Sequence, residues 1–261
     1  MAPDTPENSF QQNSPDQSSS QASSPTTGLQ ETRLGKDNRC VRSYVRRGRI
    51  TPSQRGALAH LLPRYGIQTS GPLDLAVLFP RRAPVWLEIG FGDGDALLAR
   101  AQTHAEINHL GIEVHDPGVG RVLRRLDDLG LDNVRIGHED AVQLLAHRIV
   151  SASISRIMAL FPDPWPKKRH HKRRMVQPSF AQLVAARLRV GGVFHTATDW
   201  EPYAQHMLEV LQAQPLLINL HGEGRFAPPG SGREDTKFER RGRRLGHSVW
   251  DLQFSRVHNQ P

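Results

Sequence analysis

The stretch Val85-Trp-Leu-Glu-Ile-Gly-Phe-Gly-Asp-Gly94 decides the fold class, because a short apolar run leads directly into a turn with three glycines. The run from Val85 to Ile89 has the length and β-branched ends of a buried strand. The segment Ala96–Ala101, which follows the turn, has the composition of a helix. Glycines between a strand and a helix let the backbone approach a ligand closely and leave the first helical amides free to face it. The stretch therefore predicts a strand, a ligand-binding turn and a helix.

Strand and helix patterns alternate along the rest of the body, which we expect to begin near Pro84. Helical spacing in 122–129 follows Asp116-Pro117, a pair typical of a helix start. Further strands are predicted at His109–Val114, Val134–Gly137, Ile154–Leu160 and Gly192–Ala197, and further helices at 141–147, 178–188 and 200–212. Ser248–Phe254 alternates like an additional strand, which we expect to be antiparallel. This order predicts an α/β fold with a doubly wound, mostly parallel sheet that binds ligands at the carboxyl ends of its strands.

Composition narrows the function classes. The 261 residues carry a net charge of +8, and since the first 32 contain four acidic residues and no Lys or Arg, the remainder carries +12. Such a body attracts polyanions, although nucleic acid and acidic lipid both fit this balance. Cys40 is the single cysteine, which excludes an intrachain disulfide and a cysteine-based zinc cluster, and the thirteen histidines lack ligand spacing, so we expect no metal. With no secretion signal and no apolar run long enough to span a bilayer, we expect a cytoplasmic protein without membrane contact.

Three regions are predicted from local composition. Residues 1–32 are rich in Ser, Gln, Pro and Asn and have almost no aliphatic periodicity, so we expect a disordered polar tail. Residues 33–83 form a basic N-terminal extension, in which the arginines around Tyr44 fit a solvated linker as well as RNA contact. Residues 84–258 form the α/β domain.

The register of the glycine turn discriminates between nucleotide cofactors. A dinucleotide fingerprint needs a third glycine at position 95, which is Asp95, so that spacing fails. The Glu-x-Gly-x-Gly form that starts at Glu88 is instead typical of S-adenosylmethionine sites. Glu113 ends the second strand, where its carboxylate can accept hydrogen bonds from a ribose diol, although acids do the same in NAD sites. Asp140 follows the third strand and fits either a contact to an adenine amino group or an N-cap of the helix at 141.

A strongly basic stretch, Phe161-Pro-Asp-Pro-Trp-Pro-Lys-Lys-Arg-His-His-Lys-Arg-Arg174, follows the fourth strand. Asp163 is held between two prolines. In an arbitrary protein this arrangement would indicate a surface turn, but after the fourth strand of this sheet it lies at the edge where catalysis is expected. Trp165 fits a base-stacking role as well as an anchor for the loop. Six cations and two histidines in eight positions favour phosphate binding over a solvated loop. The stretch therefore indicates an enzyme that acts on nucleic acid.

Together these pieces resemble one family, the bacterial tRNA (guanine-N7-)-methyltransferases, which modify guanine at position 46 in the variable loop. The resemblance extends from about Leu87 to Phe254 and rests on LEIGFGDGDAL, GIEVHDPGVG, the Asp140 region, FPDPWPKKRHHKRR, TATDW and TKFERRGRRLGH, in the family's order. FPDPWPKKRHHKRR and TKFE are specific to the family, whereas many methyltransferases share the glycine turn. The resemblance implies a seven-stranded, Rossmann-like class I methyltransferase domain, S-adenosylmethionine as methyl donor, tRNA as partner and tRNA (guanine(46)-N(7))-methyltransferase activity.

The resemblance and the basic run also assign roles to individual residues. The implied cofactor site comprises Glu88, Gly90, Gly92, Gly94, Glu113, Asp140 and Asp163, with Asp163 as the catalytic residue. The implied substrate contacts are Lys167, Asp199, Thr236, Lys237, Phe238 and Glu239, and the RNA contacts are Arg169, His170, His171, Lys172, Arg173 and Arg174. Apart from the resemblance, Asp199 fits the N-cap of the predicted helix 200–212, and the segment 222–244 fits a flexible loop.

The implied chemistry needs little machinery, because N7 of guanine has an in-plane lone pair and no proton to lose. We expect Asp163 to orient the guanine edge and stabilise the cationic product, assisted by Glu239 or Asp199, rather than to act as a base. Phe238 and Glu239 together can stack on guanine and accept its N1 and amino hydrogens. Two other classes remain, a methyltransferase with another target and a noncatalytic RNA-binding module.

Overall fold

A seven-stranded sheet organises the computed structural model, which describes residues 49–228, 230–234, 239 and 248–258. The strands are β1 Val85–Ile89, β2 Asn108–Ile112, β3 Val134–Gly137, β4 Ile154–Leu160, β5 Leu188–Thr198, β6 Leu217–Asn219 and β7 Trp250–Arg256. Their order in the sheet is β3-β2-β1-β4-β5-β7-β6. The strands β1 to β5 pair in parallel, and β7 runs antiparallel to both β5 and β6. The expected mostly parallel sheet, with a late antiparallel strand, is therefore confirmed.

Eight α-helices accompany the sheet within the described residues. They are α1 Pro52–His60, α2 Leu62–Tyr65, α3 Leu75–Leu78, α4 Asp95–Thr103, α5 Asp116–Leu129, α6 Ala141–His147, α7 Pro178–Arg187 and α8 Glu201–Gln212, and a 3-10 helix covers Lys168–Arg173. The helices α4 to α8 lie where the sequence patterns predict them, to within two residues at each predicted end. No helix in the described part of the chain is long and apolar enough to cross a membrane.

Three helices and one strand go beyond the sequence prediction. Helices α1 to α3 lie in the region interpreted as a basic extension, and α2 and α3 have four residues each, too few to show a helical period. Helix α1 buries only Ala57, so its apolar face is too narrow to be recognised as a helical pattern in the sequence. Strand β6 has three residues, of which Ile218 is exposed. Short elements of this kind form because the rest of the fold holds them in place.

The helices before β1 pack onto the sheet domain. The Gln54 side chain donates a hydrogen bond to the carbonyl of Pro117 at 3.1 Å, at the start of α5. The buried Tyr65 donates its hydroxyl to Asp127 of α5 at 3.3 Å. The predicted tail at 1–32 and the arginines between 33 and 48 lie outside the described residues.

The two faces of the sheet are covered differently. Leu87, Ile157 and Phe194 point to one face and form a hydrophobic core with α6, α7 and α8. On the other face, α1, α4 and α5 cover the sheet near β3 with a second core. The sheet order reverses between β1 and β4, since β2 and β3 lie on one side of β1 and the later strands lie on the other. Ligands in doubly wound sheets bind at the carboxyl ends of the strands beside such a reversal.

Candidate active site

The turn after β1 opens the edge of the sheet to a ligand. Gly90 and Gly92 have φ angles of +71° and +56°, in the left-handed region that favours glycine. A Cβ atom added at Gly90 would meet no other atom within 4 Å, so the turn faces open space. Helix α4 begins at Asp95, immediately after Gly94, and its first amides lie at the same end of the sheet.

Glu113 connects this turn to the end of β2. Its Oε2 atom accepts a hydrogen bond from the amide of Gly92 at 2.9 Å. Its Oε1 atom accepts two further bonds, from the amides of Val114 at 2.8 Å and His115 at 3.0 Å. Three backbone donors therefore fix the orientation of the carboxylate at the place where a ribose is expected.

Asp140 combines the two interpretations that the sequence leaves open. Its Oδ1 atom accepts a hydrogen bond from the amide of Gln143 at 3.0 Å, which makes Asp140 the N-cap of α6. The same residue lines a cleft between the ends of β1 and β2 and the start of α6. The capping bond uses one carboxylate oxygen, so the cap is compatible with a contact from Asp140 to a ligand in the cleft.

The cleft has the chemistry of a nucleoside site. Apolar side chains form its walls and carboxylates lie among them; its lining includes Ile112, Val114, Val142, Met175, Glu113 and Asp140. Apolar walls suit a purine ring, and carboxylates accept hydrogen bonds from ribose hydroxyls and from the adenine amino group. These residues fit the adenosine part of S-adenosylmethionine.

Glu88 lies beneath the surface of this cleft. Its side chain is buried, and its Oε2 atom accepts a hydrogen bond from Arg100 of α4 at 2.7 Å. Arg100 is buried as well, so the pair ties α4 to β1 two residues before Gly90. The cofactor contact of Glu88 stays a prediction.

The loop after β4 holds Asp163 in a strained backbone. Phe161 and Trp165 have φ angles of +53° and +43°, a region that side chains rarely adopt and that costs about 1–3 kcal/mol at each position. The amide of Phe161 donates to the carbonyl of Ala197 on β5 at 2.8 Å. Asp163 itself is exposed. The surrounding structure therefore sets the shape of the loop before any substrate arrives.

The cations after Asp163 are mostly available to solvent. The exposed ones are Lys167, Lys168, Arg169, Lys172 and Arg173, whereas His170 and His171 are half-buried. The ring of Trp165 packs within this segment, with its centroid 5.0 Å from the guanidinium of Arg173 and 5.7 Å from the ring of His170. Trp165 therefore serves as an anchor for the loop, and its base-stacking role stays a prediction.

Arg174 departs from the RNA-contact prediction. Its side chain is only 2% exposed, and its Nε atom donates to the carbonyl of Pro164 at 2.9 Å. Its guanidinium also lies 4.9 Å from the ring centroid of Tyr203. Because a side chain so buried cannot reach a phosphate in this conformation, we correct the prediction for Arg174 and assign it to holding the Asp163 loop from inside.

The predicted substrate contacts come together only in part. Asp199 is exposed at the end of β5, the strand next to β4, and the N-cap position of α8 is occupied by Trp200. Glu239 is 1% exposed and forms an ion pair with Arg233, so its carboxylate is turned into the protein. The predicted contacts of Thr236, Lys237 and Phe238 lie outside the described residues.

Comparison with known proteins identifies the family. A family profile described as "Putative methyltransferase" matches residues 82–252. A tRNA (guanine-N(7)-)-methyltransferase of Methylococcus capsulatus is 53% identical over 219 residues, which are 84% of this chain and 95% of that protein. The chain belongs to the tRNA (guanine-N7-)-methyltransferase family. The family resemblance seen in the sequence motifs is thereby confirmed.

Further relatives agree with this assignment to the tRNA (guanine-N7-)-methyltransferase family. The protein of the same name in Idiomarina loihiensis is 51% identical over 222 residues, which are 84% of this chain and 91% of that protein. Among solved structures, the 16S rRNA methyltransferase KamB superposes with a TM-score of 0.50 at 16% identity, covering 67% of this chain and 88% of that chain. At that identity the likeness to KamB concerns the fold alone.

This family member also carries a buried polar cluster that the sequence analysis missed. Asp251 of β7 accepts hydrogen bonds from His195 of β5 at 2.9 Å and from Arg233 at 2.6 and 2.9 Å. All three side chains are 0% exposed. Asp251 and Gln253 alternate with Leu252 and Phe254, a pattern that by itself is typical of a strand with one solvent-facing side.

Protonation within the cluster follows from burial and hydrogen bonding. Burial alone would raise the pKa of Asp251, but the hydrogen bonds from His195 and Arg233 outweigh it and lower that pKa to about 2. Burial lowers the pKa of His195, although its bond to Asp251 opposes the shift. Burial also lowers the pKa of Arg233, but the bonds to Asp251 and Glu239 more than compensate and raise it. At neutral pH the cluster therefore holds an anion at Asp251, a cation at Arg233 and a neutral ring at His195.

Proposed function

We propose that this protein uses S-adenosylmethionine to methylate N7 of guanine in tRNA, and that the target is the guanine at position 46 in the variable loop. Membership of the tRNA (guanine-N7-)-methyltransferase family supports the reaction and the substrate. The observation that carries the proposal is the placement of two features on neighbouring strands. The nucleoside cleft lies at the ends of β1 and β2, and the Asp163 loop with its exposed cations follows β4, which pairs with β1.

The residues of the cleft orient the methyl donor. Glu113 accepts hydrogen bonds from the ribose and Asp140 from the adenine, while the open turn at Gly90 leaves room for the rest of the molecule. S-Adenosylmethionine, when bound there, supplies an electrophilic sulfonium methyl group. The protein contributes by placing that group, because alignment of two reactants is worth several kcal/mol of the activation barrier.

Asp163 acts on the other reactant. Guanine N7 needs no general base, since its lone pair is free to attack. The Asp163 carboxylate orients the guanine edge and offsets the positive charge that the ring gains upon methylation. A carboxylate on a strained, preformed loop suits this role because its position costs no reorganisation during the reaction.

The exposed cations from Lys167 to Arg173 hold the tRNA backbone. Phosphate contacts fix the position of a nucleic acid without reading its sequence, and a planar guanidinium suits such contacts. Reaching N7 of a base in the variable loop requires local extrusion of that base, which the grip on the flanking phosphates stabilises. Since tRNA is the substrate, we place the activity in the cytoplasm.

The test is a methylation assay with positional mapping. The full chain is incubated with labelled S-adenosylmethionine and an unmodified tRNA transcript, and the product is mapped by chain cleavage directed at N7-methylguanosine. The matched control is a transcript with adenine in place of guanine at position 46. We expect one cleavage, at position 46, and none in the control transcript. Label in adenine, in protein or at another guanine would contradict the proposal.

A further inference from the structure

An exposed tryptophan lies at the edge of the sheet that carries the candidate site. Trp200 follows β5 by two residues and is 40% exposed. The other three tryptophans of the chain are half-buried, and two of them, Trp86 and Trp165, have a guanidinium over the ring at 4.6 and 5.0 Å from its centroid. Among the Phe, Tyr and Trp residues that the structure describes, Trp200 is the exposed one.

Strand pairing brings Trp200 to the same edge as Asp163. The strands β4 and β5 run in parallel, with Leu160 paired to Ala197 at their carboxyl ends. The amide of Phe161 donates a hydrogen bond to the carbonyl of Ala197 at 2.8 Å. Asp163 follows Phe161 by two residues, and Trp200 follows Ala197 by three. Two neighbouring strands therefore deliver a carboxylate and an exposed indole ring to one edge of the sheet.

The first turn of α8 fixes Trp200 relative to the Asp163 loop. The carbonyl of Trp200 accepts a hydrogen bond from the amide of Tyr203 at 2.9 Å. The ring centroid of Tyr203 lies 4.9 Å from the guanidinium of Arg174, whose Nε atom donates to the carbonyl of Pro164 at 2.9 Å. Burial is the main cause that raises the pKa of Tyr203 to about 12, and the charge of Asp163 adds to it. A continuous set of contacts thus leads from Trp200 to the residue after Asp163.

Tryptophan is an unfavourable choice for the helix that begins here. Trp200 occupies the N-cap position of α8, and its side chain makes no capping hydrogen bond. Ser, Thr, Asp and Asn are preferred at this position because their oxygens accept hydrogen bonds from the first helical amides, whereas the indole ring has only a donor. Residues that break a local rule of this kind are expected at functional sites. The helix therefore does not explain this side chain, and a ligand does.

We propose that Trp200 is a substrate-binding residue, whose indole ring stacks on the extruded guanine of the tRNA while Asp163 contacts the edge of the same base. A base taken out of its stack loses the contacts of its neighbours, and enzymes that extrude bases replace these contacts with aromatic and apolar side chains. A stack on the face and a carboxylate at the edge together fix the plane and the rotation of the ring. This inference rests on the proposed function, since it takes guanine 46 as the bound base.

The test is a cycle of two proteins and two RNAs. The unsubstituted protein and W200L are titrated, with S-adenosylhomocysteine present to prevent turnover, with an unmodified tRNA transcript and with the same transcript lacking the base at position 46. We expect W200L to bind the first transcript at least fivefold more weakly, the effect of losing one stacked base, and the baseless transcript less than twofold more weakly. An equal loss of affinity for both transcripts, or no loss for either, would overturn the proposal.

A second variant separates stacking from folding. W200F keeps an aromatic face, so it should bind the complete transcript within threefold of the unsubstituted protein. It also decides the question if W200L melts early, because a larger defect in W200F would count against stacking.

L129A is the matched control. Leu129 is an apolar residue that is 42% exposed, and it ends α5 on the side of the amino end of β3. This variant should keep both affinities. Failure of the unsubstituted protein to methylate guanine N7 in the complete transcript would instead reject the proposed function.

Discussion

At the scale of single residues, the surrounding structure fixes the position of functional groups in the candidate site before a ligand binds. Asp163 is exposed, but Phe161 and Trp165 beside it hold left-handed backbone angles, and Arg174 bonds to the intervening carbonyl of Pro164. A loop strained in this way persists because its neighbours determine it. The fold therefore places the carboxylate, and in the proposed function it is the charge of this group that serves the reaction.

Replacing that charge gives the first prediction. D163N keeps the size of the side chain and removes its negative charge, so the cationic product loses its stabilising partner. We expect kcat at saturating cofactor and tRNA to fall by about 100-fold, the usual effect of removing one preorganised electrostatic group. Single-turnover methylation measures it directly. The control is D128N, at an exposed acid on α5, and turnover of D163N within threefold of this control would contradict the assigned role.

A second residue controls the pH dependence of stability. His109 is completely buried against Trp86, and burial is the main cause that lowers its pKa to about 4. The unfolded chain, with a histidine pKa near 6.5, takes up the proton first as the pH falls. His109 therefore stabilises the fold fully above pH 6.5, and this contribution is lost as the pH falls towards 4.

The corresponding measurement is the free energy of unfolding in urea at several pH values. Between pH 6.5 and 4 the unsubstituted protein should lose up to roughly 3 kcal/mol through His109. H109Q cannot take up the proton, so its free energy of unfolding should fall less steeply across the same range. H60Q, at an exposed histidine of α1, should keep the original steepness. Identical pH profiles for H109Q and H60Q would show that His109 is not the responsible group.

At the scale of elements, the cofactor turn depends on the close packing of α5. A Cβ atom added at Gly118, in the first turns of α5, would lie 2.4 Å from the carbonyl oxygen of Gly92. This distance is far below a normal contact, and the atom that must move belongs to the backbone. The glycine at 118 is thus required by the approach of a helix to the turn.

G118A should therefore weaken cofactor binding. The added methyl group pushes the Gly92 peptide away from Glu113, and we expect the Kd for S-adenosylmethionine to rise at least tenfold in calorimetry. G56A is the matched control, since a Cβ atom at Gly56 in α1 meets nothing within 4 Å. That control should keep the cofactor Kd and gain about 1 kcal/mol of stability from helix propensity. Equal cofactor affinity in both variants would refute the packing argument.

The cations of the 3-10 helix lead to a prediction about how tRNA binding depends on salt concentration. Replacing its four exposed cations, Lys168, Arg169, Lys172 and Arg173, with serine should weaken tRNA binding and make it less sensitive to salt. The slope of log Kd against log salt should decrease by roughly three, since each lost phosphate contact removes about 0.7–0.9 of it. Arg82 and Arg189 are exposed at the amino ends of β1 and β5, so R82S/R189S should leave the slope unchanged. A slope that stays the same in the fourfold variant would remove this helix from the tRNA surface.

At the scale of the whole molecule, the sequence predicts the parts whose residues repeat a local pattern. Strands such as β1 and β4 are buried on both faces and read as apolar runs, and α5 keeps its apolar spacing over three turns. The helix α3 and the strand β6 are too short to carry such a signal.

The buried cluster around Asp251 illustrates the other limit of the sequence. Its partners His195 and Arg233 are separated from Asp251 by 56 and 18 residues, and each alone is typical of a surface residue. Only the pairing of β5 with β7 brings them together, so no local pattern reveals them. For the same reason, the burial of Glu239 and Arg174 could not be anticipated from their basic and polar neighbours.

The position of β7 in the sheet has a consequence for synthesis on the ribosome. This strand follows the other six in the chain, yet it lies between β5 and β6, and among the described residues it is the one strand that pairs with β6. A nascent chain can pair β1 to β5 as they emerge, but β6 must wait, and Arg233 has no Asp251 to bind until the last strand is made. The strands β1 to β5 can therefore pair during translation, whereas the buried cluster around Asp251 is completed only after β7 has been made.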